Sequence, residues 1–386
     1  MQYRYNPQLL GLTPSASLAL MDKARAMKAQ GLDIISLAGG EPDFDTPASS
    51  ALAGIRAIAG GQTHYTTGRG MPKLRARIAQ KLREENGLDA TADTVLVTPG
   101  AKAAIYCAVR TFVGPGDQVL VLDPAWLSYE AIVVAAGGTA IHASLDFENG
   151  YRITQEILEA AVTPQCRMVI VNTPNNPTGR VLTLEEAKVL EAFAQKYDLM
   201  ILSDEIYEKI LFEGSHLSLG SLPGLRDRVI TVNGFSKCAA MTGWRLGYLS
   251  GPKEVVDRIY LLYQHIFSCI AEFVQEAGLV ALDDPASVAA MTESYRVRRD
   301  SFLEKLQKLP GFRCIIPEGA FYAWAQVDWD ADEMADFLLQ KAGVVTVPGG
   351  AYGENSRNCI RMCFAADPKE LETAIQRMEK ALKGAE

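Results

Sequence analysis

Two hydrophobic patterns alternate along the chain. Short runs that are apolar at nearly every position occur at Val95–Thr98, Gln118–Leu122, Met168–Asn172, Met200–Ser203, Val229–Asn233 and Leu246–Ser250. Each spans about five residues rich in Val, Ile and Leu, the reading of strands in a sheet covered on both faces. Between them lie stretches with helical spacing. Leu184–Tyr197 is one, and Thr183 ahead of Glu185 and Glu186 gives it a start signal. Strand alternating with helix predicts a largely parallel α/β sheet. Before it, a helix is predicted over Leu18–Gln30, stopped by Gly31. After it, Val255–Leu282 reads as one long connecting helix. A charged helix over Tyr295–Lys308 then ends at Pro310 and Gly311. Short strands around Phe321–Val327 and Val344–Val347 and a last helix from Pro368 complete a smaller α+β unit. The expected division is residues 1–38 as an arm and part of the small domain, 39–282 as the large domain, and 283–386 as the small domain. The opening segment has no core of its own, so it is expected to pack with the tail.

Composition narrows the function classes. The 386 residues carry 38 Lys and Arg against 46 Asp and Glu, a net charge of −8. That disfavours a nucleic-acid binder, which needs a basic face. No apolar run approaches the roughly 18 residues of a membrane span. The opening MQYRYNPQLL lacks a basic start followed by an apolar core, so no leader is expected. Seven scattered Cys without a C-x-x-C pair point to reduced thiols in the cytoplasm. His64, His142, His216 and His265 lie too far apart for metal-ligand spacing, so no metal is expected.

Ligands of open parallel sheets bind beyond the carboxyl ends of strands, so the residues just past each run are informative. Pro99-Gly100-Ala101-Lys102 opens a helix after the first run, where free N–H groups suit a phosphate. Trp126, in DPAWLSYE, comes after the second and is either packing or a ring platform. TPNNPTG, residues 173–179, comes after the third, and its two prolines and glycine hold Asn176 rigidly. Asp204-Glu205-Ile206-Tyr207 comes after the fourth. A strand-end Asp in apolar surroundings needs a cation or a dense hydrogen-bond shell. The fifth leads into GFSKCAAMTGWRLGY, residues 234–248. There Lys237 sits among small residues with Arg245 nearby, surroundings that lower an amine's pKa and favour Schiff-base chemistry. Arg361, between Ile360 and Met362, is either an edge residue or a carboxylate anchor.

Together these segments resemble the class I and II aminotransferases of pyridoxal-phosphate (PLP) fold type I, and within them the bacterial aspartate aminotransferase branch. The resemblance runs through LAGGEPDFDTP (37–47), HYTTGRGMPKLR (64–75), TPGAKAA (98–104), NTPNNPTG (172–179), SDEIYE (203–208), NGFSKCAAMTGWRLGY (233–248) and IRMCFA (360–365). It implies a large PLP-binding domain with a mostly parallel seven-stranded sheet sandwiched by helices, plus a smaller α+β domain. It also implies that Lys237 joins the cofactor covalently and moves the proton, and that Asp204 faces the pyridine nitrogen. Tyr207 and Asn176 would meet the 3′ oxygen, and Trp126 would stack on the ring. Ala101, Lys102, Ser236 and Arg245 would hold the phosphate, with Tyr65 reaching the phosphate of the neighbouring subunit in a homodimer with composite sites. Gly40, Arg361 and Asn176 would bind the substrate α-carboxylate. Gly234 departs from the pattern, where many members carry a second serine.

The implied reaction is a ping-pong transfer between an L-amino acid and a 2-oxo acid. A carbon–sulfur β-lyase on the same fold would share the central residues. A regulator using this fold would need a DNA-binding domain, and LAGGEP begins too early for one. A nicotinamide dehydrogenase would need G-x-G-x-x-G, which Gly68-Arg69-Gly70 does not match. For the substrate, Lys102 with Ser15 and Ser17 of the N-terminal arm points to aspartate and glutamate. Arg69 is a competing cation, and aromatic amino acids, methionine or prephenate are the alternatives.

Overall fold

The computed structural model describes residues 3–384. Thirteen strands appear in chain order. They are β1 (Ile35–Ser36), β2 (Val95–Thr98), β3 (Gln118–Asp123), β4 (Thr139–Ser144), β5 (Cys166–Asn172), β6 (Met200–Asp204), β7 (Val229–Gly234), β8 (Gly247–Ser250), β9 (Phe312–Cys314), β10 (Tyr322–Val327), β11 (Val344–Val345), β12 (Val347–Pro348) and β13 (Cys359–Cys363). Seven of them form one sheet in the order β2-β8-β7-β6-β5-β3-β4. Strand β8 runs antiparallel to both neighbours, so β2 points the same way as β7 and the other strands. Every chemically interesting segment after β2, β3, β5, β6 and β7 therefore leaves the same edge.

Strands β2, β3, β6 and β7 are buried along nearly their whole length, as their unbroken apolar runs predicted. The seventh strand, β4, had no such run. It is mostly exposed, pairs with β3 alone, and reads TAIHAS. Helices α1 (Ala16–Ala29), α2 (Ala48–Ala59), α3 (Pro72–Asn86), α4 (Ala101–Phe112), α5 (Ser128–Ala135), α6 (Gln155–Ala161) and α7 (Leu184–Lys196) precede the sheet or connect its strands. The start of α7 is a reciprocal cap: Thr183 Oγ1 accepts from Glu186 N at 3.2 Å, and Glu186 Oε2 accepts from Thr183 N at 3.0 Å.

The single helix expected over Val255–Leu282 is two, α8 (Lys253–Phe267) and α9 (Glu272–Leu282). Ser268 breaks it by taking φ +61° and ψ −77°, outside any helical geometry. The charged helix starts earlier than predicted, as α10 (Pro285–Leu306), because Asp284 caps it by accepting from Ser287 N at 3.1 Å. Helices α11 (Ala331–Phe337) and α12 (Pro368–Lys383) come next.

The tail forms a four-stranded sheet in the order β12-β13-β10-β9. The strand expected at Val344–Val347 divides: β11 pairs in parallel with β1, whereas β12 pairs with β13. The early segment is thereby tied to the tail. Cys363 N donates to Leu37 O at 2.8 Å, which lays Leu37–Gly40 beside β13 and aims it at the strand-end edge of the large sheet.

Candidate active site

A cavity of about 440 Å³ opens at that edge, between the large sheet and β13. Its lining includes Lys237, Asp204, Tyr207, Asn176, Trp126 and Arg361. Gly40, Ala101, Lys102, Ser236 and Arg245 line it too, so the topology gathers all but two of the sequence-derived candidates. The first exception is Tyr65, which is 91% exposed and does not line this cavity. Arg69 is also elsewhere. Its guanidinium donates to Asp257 at 2.6 Å and lies 4.5 Å from the centre of the Tyr260 ring, so it is no competing cation in this cavity.

Two charges in the cavity lack counter-ions. Asp204 is buried, and among the described residues no cation lies within ion-pair distance of it. Its Oδ2 accepts from Tyr129 OH at 2.6 Å, yet burial still pushes the carboxyl up to about 6. Arg361 is buried on β13 with neutral acceptors: Asn176 Oδ1 at 3.1 Å, Ala38 O at 2.9 Å and Gly39 O at 3.1 Å. Its Nε is buried without a partner among the described residues. The guanidinium carbon lies 4.4 and 5.4 Å from the centres of the Tyr322 and Tyr352 rings. A buried carboxylate lacking a cation and a buried guanidinium lacking an anion both require a ligand.

Lys237 lies at the turn after β7, where its Nζ donates to Gly40 O. Burial, with help from Arg361 and Arg245, brings the amine down to about 8. Tyr207 shares a 2.8 Å hydrogen bond with Tyr322. Because Asn176 Oδ1 accepts from Arg361, its Nδ2 is left to donate elsewhere. The opposite end of the cavity is positive. Two glycines keep it open: a Cβ on Gly100, at φ +84°, would lie 2.6 Å from Arg245 Nη2, and one on Gly247 would lie 2.6 Å from Ala101 N. Ser236 and the α4 N-terminus complete an anion cradle. The serine missing at Gly234 has a steric reason, since a Cβ there would meet Gly247 Cα at 2.9 Å.

Lys102 is exposed at the cavity wall, its Nζ 4.8 Å from the centre of the Trp126 ring. Partial burial, and then the nearby Arg245, lower its pKa. Ser15 and Ser17 line the same cavity.

Sequence reasoning missed Tyr129, Tyr322 and Tyr352. Tyr129 stood within DPAWLSYE, one helical turn after Trp126, but nothing local announced its bond to Asp204. Sequence reasoning also placed no histidine in a metal-type cluster. Glu205, Glu208 and His216 nevertheless come together. Their acceptors are engaged by Ser203, Ser218, Lys81 and Asn86, and the Lys81 ammonium supplies the positive charge.

The donor set fits pyridoxal phosphate: a cradle for a phosphate, an isolated acid for a ring nitrogen, an amine for an aldehyde, and a guanidinium for the carboxylate of an amino acid. Comparison with known proteins agrees. The family described as aminotransferase class I and II matches residues 32–378. An aspartate aminotransferase of Musicola paradisiaca is 40% identical, covering 95% of this chain and 94% of its own. An aromatic-amino-acid aminotransferase of Thermococcus litoralis is 39% identical, covering 92% and 93%. The solved aspartate aminotransferase from Thermus thermophilus with maleate superposes with a TM-score of 0.94 at 37% identity, covering 99% of this chain and all of that one. The chain belongs to the class I and II aminotransferases, and it is a PLP-dependent enzyme of fold type I.

Proposed function

We propose that this aminotransferase moves amino groups between aspartate or glutamate and the matching 2-oxo acids. The observation that carries this reading is Lys102, a cation on the wall of the cavity that holds Arg361, with no carboxylate partner among the described residues. Arg361 can serve one carboxylate, so a second one needs its own cation. The Musicola and Thermus relatives named for aspartate support it. The Thermococcus relative named for aromatic amino acids supports a second reading, for which the Trp126 ring and Ile105 offer apolar wall.

Each role rests on the geometry. When bound, PLP supplies an electron sink beside the reacting carbon. Asp204, fixed by Tyr129, would present negative charge toward the ring nitrogen. The backbone N–H groups of Ala101 and Lys102, the Ser236 hydroxyl and the Arg245 guanidinium would hold the phosphate, leaving the Lys102 ammonium for substrate, and Trp126 would cover the ring. Tyr207 and Asn176 would donate toward the 3′ oxygen. Arg361, with Asn176 and Gly40, holds the α-carboxylate and so orients the α-hydrogen. Lys237, partly neutral near pH 7, takes that proton and returns it.

Lys102→Ala tests the substrate assignment. Loss of a charged contact at an exposed site should reduce kcat/KM about tenfold for aspartate and glutamate. Alanine and phenylalanine should change little. An equal loss on every amino donor would assign Lys102 to the cofactor alone.

The proposal extends to a homodimer with composite sites in the cytoplasm. Tyr65 reaches out from its own subunit, and Leu52, Ile55 and Ile58 leave an apolar stripe exposed on α2, with Ile55 at 60%. Free thiols support a reducing compartment. Among the described residues, no helix is long and apolar enough to cross a membrane. The domain division at residues 39 and 283 belongs to the same reading. Tyr65→Ala and Lys237→Ala chains, each impaired alone, should regain activity when mixed under subunit exchange, because some heterodimers hold one intact site. A fully active monomer would refute the composite site.

A further inference from the structure

One wall of the cavity has no role in the transfer reaction as assigned to Lys237, Asp204 and Arg361. Helix α1 contributes Leu18, Met21 and Arg25 to the lining. Spacings of three and four residues put all three on one helix face. Ser17 lies at the inner end, its hydroxyl 3.4 Å from that of Tyr352, whose ring neighbours Arg361. Arg25 is eight residues further on, about 12 Å along the axis. Side chains of a helix lean toward its N-terminus, so the long Arg25 side chain is carried back toward the cavity. Arg25 thus lines the cavity about 12 Å along α1 from the Ser17 end, apart from the residues around Arg361.

Arg25 is also available. Its one anionic contact among the described residues is Asp22 at 3.4 Å, a turn away, and the Arg25 side chain is 69% exposed. Such contacts hold their partners weakly. Of the acids lining the cavity, Asp204 is buried at the strand end and Glu41 accepts from Thr242 at 3.0 Å. Beside Lys237, Arg245 and Arg361, the lining therefore includes two further cations, Lys102 on α4 and Arg25 on α1.

We propose that Arg25 is a specificity-determining residue, a second distal cation that receives the side-chain carboxylate of acidic substrates longer than aspartate. This rests on the acidic-substrate reading. Lys102 serves the shorter side chain, and each added methylene moves the distal carboxylate toward Arg25.

The test is a length series of amino donors: aspartate, glutamate and 2-aminoadipate, with alanine as reference. Arg25→Gln should raise KM by less than twofold for aspartate and by about fivefold for 2-aminoadipate, with glutamate between and kcat little changed. Arg25→Lys should recover most of the loss. Added salt should raise the 2-aminoadipate KM of the wild type more than that of Arg25→Gln. A uniform change across all four donors would mean that Arg25 merely supports α1, and would overturn the inference. Wild-type turnover of all three acids with Arg25→Gln unaffected would overturn it alone. Turnover of none of them would overturn the acidic-substrate reading as well.

Discussion

Lys237→Ala should lower turnover by at least about 10⁴-fold, because the proposed roles make one side chain both the covalent anchor and the proton carrier. Lys237→Arg should be nearly as inactive. It keeps the positive charge but cannot lose a proton near neutral pH, so the pair separates a need for charge from a need for a neutral amine. Borohydride treatment of the wild-type holoenzyme and then peptide mapping should place the cofactor on Lys237, and label on another lysine would overturn the assignment. The pH dependence is specific. Burial and two neighbouring guanidinium groups disfavour the ammonium, and the amine falls to about 8. The neutral form is then about one part in ten at pH 7, against less than about one in a thousand for an ordinary lysine. Capture of PLP by the apoenzyme should therefore accelerate as pH rises and level off above about 8. A rate still climbing steeply past pH 9 would mean that the cavity does not tune this amine.

Much of this site was readable because it is local. A parallel sheet delivers its chemistry in short segments directly after apolar runs, and Asn176, Asp204 and Lys237 each stand in such a segment. The cation that Asp204 demanded was an inference from burial alone, and the structure shows the acid still without one. The unreadable features depend on pairing across the fold. Strand β4 has a wet face, so nothing selects an apolar run there, whereas β2, at the sheet's other edge, is covered along its length and keeps one. Ser268 breaks the α8–α9 stretch through a backbone conformation, not through Pro or Gly, and no residue type advertised it. Tyr129 reaches Asp204 across 75 positions of sequence. Arg69 looked free in a Gly-rich loop, and its partner Asp257 lies on a helix far along the chain. Arg25 is hidden for the opposite reason. A charged residue on a helix is ordinarily on the solvent face, and only the placement of α1 over the cavity gives this one a direction.

Asp204 should show a trade of stability for function. Asp204→Asn keeps the shape and the Tyr129 contact but removes the charge. Breaking a buried ion pair costs about 3–5 kcal/mol, which corresponds to a loss of about 10²- to 10⁴-fold in turnover. The apoenzyme should respond in the other direction. The carboxyl stands at about 6 in the folded protein against 3.8 ordinarily, so the folded state binds the proton more tightly than the unfolded one. Stability then falls as pH rises from about 4 to 6 and stays depressed above 6, by up to about 3 kcal/mol for a shift of this size. Replacing the acid by a neutral amide removes that penalty. Thermal melts of the apo forms should therefore show Asp204→Asn more stable than the wild type at pH 7.5, with the gap closing toward pH 4. Adding PLP should raise the melting temperature of the wild type more than that of the variant, since only the wild type gains a partner for a stranded charge. If the two apo forms melt together across the whole pH range, Asp204 is already neutralised within the chain, and its assignment to the ring nitrogen loses its physical basis.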